Sequence, residues 1–166
     1  FVSFAFGRDG KLMTGANVAS VVTTMEGLGV DAIGLNCSFG PEQLLPLVDK
    51  YISLASIPVL FQPNAGMPRE ENGKTIYDVS PEEFAKHVQT AVNQGVRIIG
   101  GCCGTTPEYI EALRSIPTDN PVPITKKHET IIASYTHTVS FGPRPILIGE
   151  RINPTGKKHA VGFGRI

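Results

Sequence analysis

Four apolar, β-prone segments alternate with four amphipathic helical segments along the first 117 residues. The strand-like segments cover residues 2–6, 32–35, 57–61 and 97–100, and the helical segments cover residues 17–28, the stretch from Pro41, 80–93 and 106–115. Strands that are apolar throughout and are each followed by a helix are typical of a parallel sheet covered by helices. The pattern therefore predicts an α/β fold with a parallel sheet built from four consecutive βα units.

Four such units without a glycine-rich dinucleotide-binding turn fit half of a (β/α)8 barrel, the TIM barrel, which takes about 250 residues when complete. An open, doubly wound sheet is the alternative. The chain starts on a strand-like segment that does not begin with methionine, and a new strand-like segment opens near its end. We therefore interpret the chain as a piece of a longer protein.

The charge balance and the apolar runs bear on partners and location. Lysine plus arginine and aspartate plus glutamate both number 15, which indicates neither a nucleic-acid partner nor an anionic membrane surface. No apolar run approaches the roughly 20 residues that span a bilayer. Three cysteines without a visible secretory leader favour a reducing compartment over a disulfide framework. We expect a cytoplasmic protein.

The three cysteines lie where predicted strands end. Cys37 follows the second predicted strand, and Cys102 and Cys103 follow the fourth. Because the carboxyl ends of parallel strands meet at one edge of a sheet, we expect the three sulfurs to converge there. Neighbouring residues of a regular strand point to opposite faces, so the adjacent pair reaches a common point only if the chain bends. Gly101 and Gly104 permit that bend.

Three thiolates form a ligand set that zinc favours, and they leave one tetrahedral position open, as in catalytic zinc sites. A divalent ion bound by three thiolates carries net negative charge, which keeps a further bound thiolate nucleophilic. The substrate expected at such a site is therefore a thiol. The alternative interpretation is three unrelated buried cysteines or a strained vicinal disulfide.

Three segments together resemble the second half of the homocysteine methyltransferase domain: NCSFGPE at 36–42, FQPNAGMP at 61–68 and RIIGGCCGTTPEYI at 97–110. The separation of the cysteines is similar to that in the cobalamin-dependent methionine synthase branch of this family. The resemblance covers about residues 1–117. It implies a (β/α)8 domain in which the four units are strands five to eight, and a zinc ion bound by Cys37, Cys102 and Cys103.

The resemblance also implies a reaction. A methyl group passes from methylcobalamin to the zinc-bound homocysteine thiolate, which gives methionine, and the three cysteines are both the metal ligands and the catalytic residues. No general base is required, because binding to zinc releases the thiol proton. Cobalamin is then bound by another domain of the parent chain.

The last part of the chain favours this branch. ILIGERINPTG at 146–156 resembles the first strand and loop of the methyltetrahydrofolate-binding barrel that follows the homocysteine domain in methionine synthases. We therefore divide the chain into the C-terminal half of a homocysteine-binding domain (1–117), an interdomain linker with a short hairpin (118–145) and the start of a pterin-binding domain (146–166). A stand-alone methyltransferase that uses another methyl donor would lack such a tail.

Two further residues are candidates for substrate binding. Asn64 lies at the end of the third predicted strand, between the two cysteine-bearing strands, where its amide either approaches the open metal position or forms an Asx turn. Gly101 either offers its backbone N–H to a ligand carboxylate or only permits the bend.

Half a barrel has consequences for the isolated chain. Four strands leave two open sheet edges and an apolar interior face. We expect two copies to associate, and we expect the isolated chain to bind zinc without transferring methyl groups. The alternatives are therefore a zinc-binding half-barrel without activity of its own, or a module in which the cysteines are core residues.

Overall fold

The protein was analysed as a computed structural model that describes residues 1–117, 119, 121–127 and 129–148. Within these residues the elements along the chain are β1 (Val2–Phe4), α1 (Val18–Gly27), β2 (Ile33–Asn36), α2 (Pro41–Leu54), β3 (Val59–Gln62), β4 (Arg69–Glu71), β5 (Lys74–Ile76), α3 (Pro81–Gln94), β6 (Ile98–Ile99), α4 (Pro107–Leu113), β7 (Thr130–Ala133) and β8 (Thr138–Phe141). The four predicted βα units are all present, and their boundaries differ from the predicted ones by at most two residues.

The strands β1, β2, β3 and β6 form one parallel sheet in that order. Each helix packs against the next one along the chain, from α1 to α4. A doubly wound sheet reverses its strand order at a switch point, whereas this order follows the chain throughout. The predicted α/β class and parallel sheet are confirmed, and the arrangement is consistent with part of a TIM-barrel-like fold. The assignment to strands five to eight stays a prediction.

The core lies between the sheet and its helices. One face of the two central strands, which includes Ile33, Leu35 and Phe61, is fully buried against the helical layer. On the other face, Gly34 of β2 lies beside Leu60 of β3, and a Cβ atom on Gly34 would overlap the Leu60 carbonyl oxygen. The close pairing of β2 and β3 therefore requires glycine at this position.

The two outer strands are less covered than the central ones. Every residue of β1 and β6 is only half-buried, whereas β2 and β3 are buried for their first three residues. An outer strand has a neighbouring strand on one side only and presents unpaired backbone groups on the other, so it is less covered.

Two helix starts follow directly from their sequences. The side chain of Asn17 accepts a hydrogen bond from the Ser20 N–H, at 2.9 Å, and that of Ser80 accepts one from the Glu83 N–H, at 3.2 Å. Each satisfies a backbone donor that a helix start leaves free. Because α1 and α3 each follow a strand, these caps fix where the chain turns back along the sheet.

A small ribbon between β3 and α3 was not predicted. β4 and β5 pair in antiparallel fashion around Asn72 and Gly73, which both have positive φ, 52° and 73°. Asn-Gly is the favoured sequence for a two-residue hairpin turn of this kind. The ribbon lies in the connection that leads from Asn64 to α3, next to the cysteine-bearing edge.

The predicted short hairpin is present as β7 and β8, and it packs against α1. The Asn17 side chain donates a hydrogen bond to the Thr136 carbonyl oxygen at 2.8 Å, and Lys127 donates to the carbonyl oxygen of Ala55 at 2.9 Å. The described part of segment 118–145 thus docks onto the helical layer.

The strand predicted to open at Ile146 is not present in the part of it that the structure describes, because residues 146–148 have no regular structure. The remainder of the predicted pterin-domain start lies outside the described residues. No helix within the described ranges is long and apolar enough to cross a membrane.

Candidate metal centre

Cys37 lies in a tight reversal at the end of β2. Its N–H donates to the Gln62 carbonyl oxygen at 3.0 Å, which continues the pairing of β2 with β3 by one residue. Cys37 and Ser38 then both adopt positive φ, 58° and 69°, a conformation that costs energy for residues with side chains and that concentrates at functional sites. The reversal turns the Cys37 side chain out of the strand direction before α2 begins.

Cys102 and Cys103 lie in a turn after β6, as the flanking glycines predicted. The Cys102 N–H donates to the Pro63 carbonyl oxygen at 2.8 Å, and the Cys103 carbonyl oxygen accepts from the Ala65 N–H at 2.9 Å. Gly104 has a φ of 80°, which lets the chain reverse at the end of the turn. The turn is thereby held to the loop that follows β3.

Asn64 connects the two cysteine-bearing loops. It is 4% exposed, and its Oδ1 atom accepts a hydrogen bond from the Cys103 N–H at 3.0 Å. The backbone N–H of Asn64 donates to the Phe39 carbonyl oxygen at 3.0 Å, in the loop that carries Cys37. This arrangement differs from the Asx turn considered above, because the partners of Asn64 are distant in sequence.

Gly101 lies in close contact with the side chain of Thr105. A Cβ atom on Gly101 would lie 2.6 Å from the Thr105 hydroxyl oxygen and 2.7 Å from the Thr105 Cβ. The Thr105 hydroxyl in turn donates to the Cys102 carbonyl oxygen at 2.6 Å. Glycine at 101 therefore gives Thr105 the room to brace the cysteine turn.

The three sulfur atoms converge. The Sγ atoms of Cys37 and Cys103 lie 3.6 Å apart, those of Cys102 and Cys103 lie 3.9 Å apart, and all three lie within 4.8 Å of one another. Sulfurs placed about 2.3 Å from a tetrahedral zinc ion are separated by about 3.8 Å. The donor set and its spacing therefore fit zinc.

The burial of the cysteines leaves the cluster open to solvent. Cys37 and Cys102 are half-buried, Cys103 is exposed, and all three are free thiols. The alternative of three fully buried core cysteines is therefore wrong.

The three sulfurs lie close together, and the pKa values of Cys37 and Cys103 shift in opposite directions. Burial alone would raise the pKa of Cys37, but hydrogen bonds from the Ser38 backbone N–H and from the side chains of Cys103, Cys102 and Asn64 outweigh it and lower the pKa. Hydrogen bonds to Cys37 and Cys102, together with the charge of Cys102, raise the pKa of Cys103 to about 11. A cation bound to the three sulfurs would favour the thiolate form of Cys103 and so lower its pKa.

Tyr77, which follows β5, was not predicted to belong to the site. Its ring lies against Gly104, the residue after Cys103. Burial raises the pKa of Tyr77, and the charges of the three cysteines, first of all that of Cys103, raise it further. Its position depends on the unpredicted ribbon, and the Asn-Gly turn that forms the ribbon is the one indirect signal for it in the sequence.

The fold and the site define an α/β domain with a cluster of three cysteines that could hold a metal ion, and comparison with known proteins identifies its family. The family model described as homocysteine S-methyltransferase matches residues 1–116. The chain belongs to the homocysteine S-methyltransferase family, whose members are methyltransferases.

Individual relatives agree with this assignment. The chain is 32% identical over 167 residues to the methionine synthase of Mycobacterium leprae, covering 95% of this chain and 14% of that protein. It is 32% identical over 153 residues to the methionine synthase of Mycobacterium tuberculosis, covering 90% of this chain and 13% of that protein. The chain thus spans about a seventh of the length of these relatives.

A solved structure supports the fold. The oxidized form of the homocysteine methyltransferase MmuM from Escherichia coli is similar, with a TM-score of 0.53 and 28% sequence identity. The similarity covers 68% of this chain and 34% of that chain. The fold described above is therefore similar to part of that homocysteine methyltransferase structure.

Proposed function

We propose that this chain is the zinc-binding half of the homocysteine-binding domain of a cobalamin-dependent methionine synthase. The observation that carries the proposal is the convergence of the three sulfurs of Cys37, Cys102 and Cys103 at spacings of 3.6 and 3.9 Å, which suit a single tetrahedral zinc ion. The substrate is homocysteine, in agreement with the family to which the chain belongs.

The three cysteines each have a defined part in the proposed chemistry. They hold zinc as thiolates, and a bound zinc ion supplies the positive charge that lowers the pKa of an incoming homocysteine thiol. The exposed side of the cluster, next to Cys103, is the side from which that thiol arrives. The combined negative charge of the three cysteine thiolates leaves the substrate sulfur electron-rich, so that its lone pair attacks the methyl carbon of the donor.

Asn64 and Gly101 are proposed to contribute to substrate binding. Asn64 lies beside both cysteine loops, so its amide is close enough to orient groups at the open side of the cluster. Gly101 precedes the cysteine turn, and its backbone N–H is the proposed donor to a substrate carboxylate. The close contact with Thr105 is a second reason for glycine at position 101.

The proposed methyl donor is methylcobalamin, bound by another domain of the parent chain. Bound there, methylcobalamin would supply the methyl group that the homocysteine sulfur accepts, with methionine as the product. The similarity to two methionine synthases that extends over 90% or more of this chain supports this donor over the other donors of the family. The division into 1–117, 118–145 and 146–166 belongs to the same proposal.

The half-exposed outer strands support the expectation about the isolated chain. β1 and β6 would each continue into further strands of a complete barrel, so the isolated chain is proposed to pair with a second copy at these edges. It is also proposed to lack methyl transfer, because the other half of the barrel is absent from it. Light scattering that finds a stable monomer at high protein concentration would contradict the pairing.

The proposal is tested by zinc analysis of the reduced protein. We expect one tightly bound zinc per chain, and loss of the metal when Cys37 or Cys102 is replaced by alanine while the helical circular dichroism is retained. Ser53→Ala, at an exposed hydroxyl on the far end of α2, is the matched control and should keep its zinc. Well under one equivalent of zinc in the unmodified protein would overturn the proposal.

A further inference from the structure

The hairpin formed by β7 and β8 turns one face towards α1 and the other away from it. Ile131 lines the cleft between the hairpin and α1, together with Val22 and Thr23 of that helix. Residues directly opposite each other in an antiparallel pair lie on the same face, and the faces alternate along each strand. The face that carries Ile131 and its cross-strand partner Ser140 is therefore the inner face.

The outer face of the hairpin is the more apolar of the two. Its two cross-strand pairs contain three large apolar side chains and the two inner pairs contain one; in that order the pairs are Ile132–Val139, Thr130–Phe141, Ile131–Ser140 and Ala133–Thr138. A ribbon with one side in water normally places its polar residues on that side. Ile132 is 53% exposed and Val139 is 50% exposed, so the usual pattern is inverted here.

Exposed apolar side chains are concentrated in this part of the chain. Twelve large hydrophobic side chains are exposed among the described residues, and eight of them lie within residues 122–148. One of the eight is Tyr135 in the hairpin turn, which is 60% exposed. Single exposed apolar residues are ordinary, whereas an apolar group gathered on one face marks a contact with another protein surface.

The hairpin is held in place on the domain. The Asn17 side chain, at the start of α1, donates to the Thr136 carbonyl oxygen at 2.8 Å. Before the hairpin, the Lys127 N–H donates to the Ser56 hydroxyl oxygen at 2.9 Å. The outer face therefore has a fixed position, and a surface that is already ordered loses less conformational entropy when a partner binds.

We propose that the outer face of the hairpin, defined by Ile132, Tyr135 and Val139, is the surface on which the next domain of the parent chain docks. The inference rests on the proposed function, in which the pterin-binding domain begins at residue 146. The chain between Phe141 and residue 146 reaches at most roughly 18 Å, so that domain starts close to the hairpin. A tether this short gives an effective concentration of about millimolar, at which a modest apolar contact is sufficient.

The length of the relatives agrees with this occupant. This chain covers only 14% and 13% of the two methionine synthases described above, so most of such a protein lies outside the structure. A second copy of this chain is the other occupant of suitable chemistry. The pairing proposed for isolated chains uses the sheet edges β1 and β6, whereas the hairpin packs on the helix α1. The two contacts therefore use different surfaces.

Hydroxyl-radical footprinting read by mass spectrometry tests the proposal on two proteins, the chain 1–166 and the full-length parent protein. Labelling of Ile132, Tyr135 and Val139 should be about fivefold lower in the parent, because side chains that are half exposed here would be almost fully buried in the core of an interface. Equal labelling of the three residues in the two proteins would overturn the proposal.

A charged variant tests whether the protection depends on this face. In the parent protein, Ile132→Lys should restore the labelling of Tyr135 to its level in the chain 1–166, because an ammonium group is costly to bury in an apolar contact. Thr90→Lys, on the exposed side of α3, is the matched control and should leave Tyr135 protected. Circular dichroism should be unchanged in both variants. A Tyr135 that stays protected in Ile132→Lys would contradict the docking surface.

Two further outcomes separate the occupants and the two proposals. Sedimentation of the chain 1–166 should be the same with and without Ile132→Lys. If the substitution abolishes its association instead, a second copy covers the face and the docking proposal is wrong. Zinc analysis of the same samples keeps the proposed function apart, since a parent protein that binds no zinc but has a protected hairpin would contradict that function and leave the docking surface in place.

Discussion

The Asn64 side chain accepts a hydrogen bond from the backbone N–H of Cys103, with 3.0 Å between Oδ1 and N. The backbone N–H of Asn64 donates to the Phe39 carbonyl oxygen, also at 3.0 Å. The buried Asn64 thus joins the loops that follow β2, β3 and β6. The convergence of the cluster is therefore a property of three loops together and not of the cysteine turn alone.

Replacing Asn64 by alanine should destabilise the protein and weaken zinc binding. The Cys103 N–H would lose its acceptor in a partly buried setting, which costs up to about 1–3 kcal/mol. Urea denaturation of the metal-free protein measures this loss as a lower free energy of unfolding. Asn64→Asp is the matched variant, because its carboxylate still accepts from Cys103, and it should lose less stability than Asn64→Ala. An alanine variant as stable as the unmodified protein would contradict the role of this hydrogen bond.

Zinc binding should release protons and should strengthen as the pH rises. The pKa of Cys103, raised to about 11 by its neighbours, keeps this thiol protonated in the metal-free protein at neutral pH. Zinc binds the thiolate, so each bound ion displaces at least one proton and the affinity rises with pH. Isothermal titration calorimetry in two buffers with different ionisation enthalpies counts the released protons. An observed binding enthalpy that is the same in both buffers would contradict the expectation.

Replacing Tyr51 by phenylalanine should leave the protein as stable or more stable. Tyr51 is fully buried beside Phe6, and its hydroxyl has no hydrogen-bond partner among the residues that the structure describes. An unsatisfied buried hydroxyl is unfavourable, so its removal should raise the free energy of unfolding by about 1 kcal/mol. Thermal unfolding at about pH 7 measures the change. A free energy of unfolding that falls by more than about 1 kcal/mol would indicate a hydrogen-bond partner for the hydroxyl.

The same substitution should also change the response to alkali. Burial raises the pKa of Tyr51 above its ordinary value, so the folded state favours the neutral phenol. The contribution of this residue to stability is then complete below about pH 10 and is lost as the pH rises further, since the unfolded chain ionises first. The range from about pH 9 to pH 11 spans the ordinary pKa of tyrosine. Over this range Tyr51→Phe should therefore lose less stability than the unmodified protein does.

Replacing Gly34 by alanine should be strongly destabilising. The added methyl group would overlap the Leu60 carbonyl oxygen, so β2 and β3 would have to separate or shift, which typically costs about 1–3 kcal/mol or more. Gly27→Ala at the end of α1 is the matched control, because nothing lies within 4 Å of its Cβ position. It should be neutral or stabilising by up to about 1 kcal/mol. Equal stabilities of the two variants in urea would contradict the close pairing.

The βα units and the positions of the cysteines could be predicted from the sequence, whereas the contacts around the cysteines could not. Apolar runs and the caps at Asn17 and Ser80 are local patterns, and they predicted four strands and four helices to within two residues. Parallel strands share one edge, so cysteines at strand ends were expected to meet there. The contact between Tyr77 and Gly104 depends on how the ribbon folds back onto the cysteine turn. No local periodicity encodes such a contact.

Asn64 is a second residue whose contacts could not be predicted from its local sequence. Its place at a strand end indicated a role near the cluster, but the local alternative was a turn formed with its own neighbours. The actual partners are Phe39, through the backbone N–H of Asn64, and Cys103, through its side chain, and they are 25 and 39 residues away in the chain. Only the assembled sheet brings them within reach of the amide.

X-ray absorption at the zinc edge of the reduced, zinc-loaded protein tests the central claim most directly, with and without homocysteine. The account predicts three sulfur ligands at about 2.3 Å in the free protein, and a fourth sulfur at a similar distance once homocysteine is added. Zinc that is coordinated without these three sulfurs, or whose sulfur shell does not change with homocysteine, would contradict it.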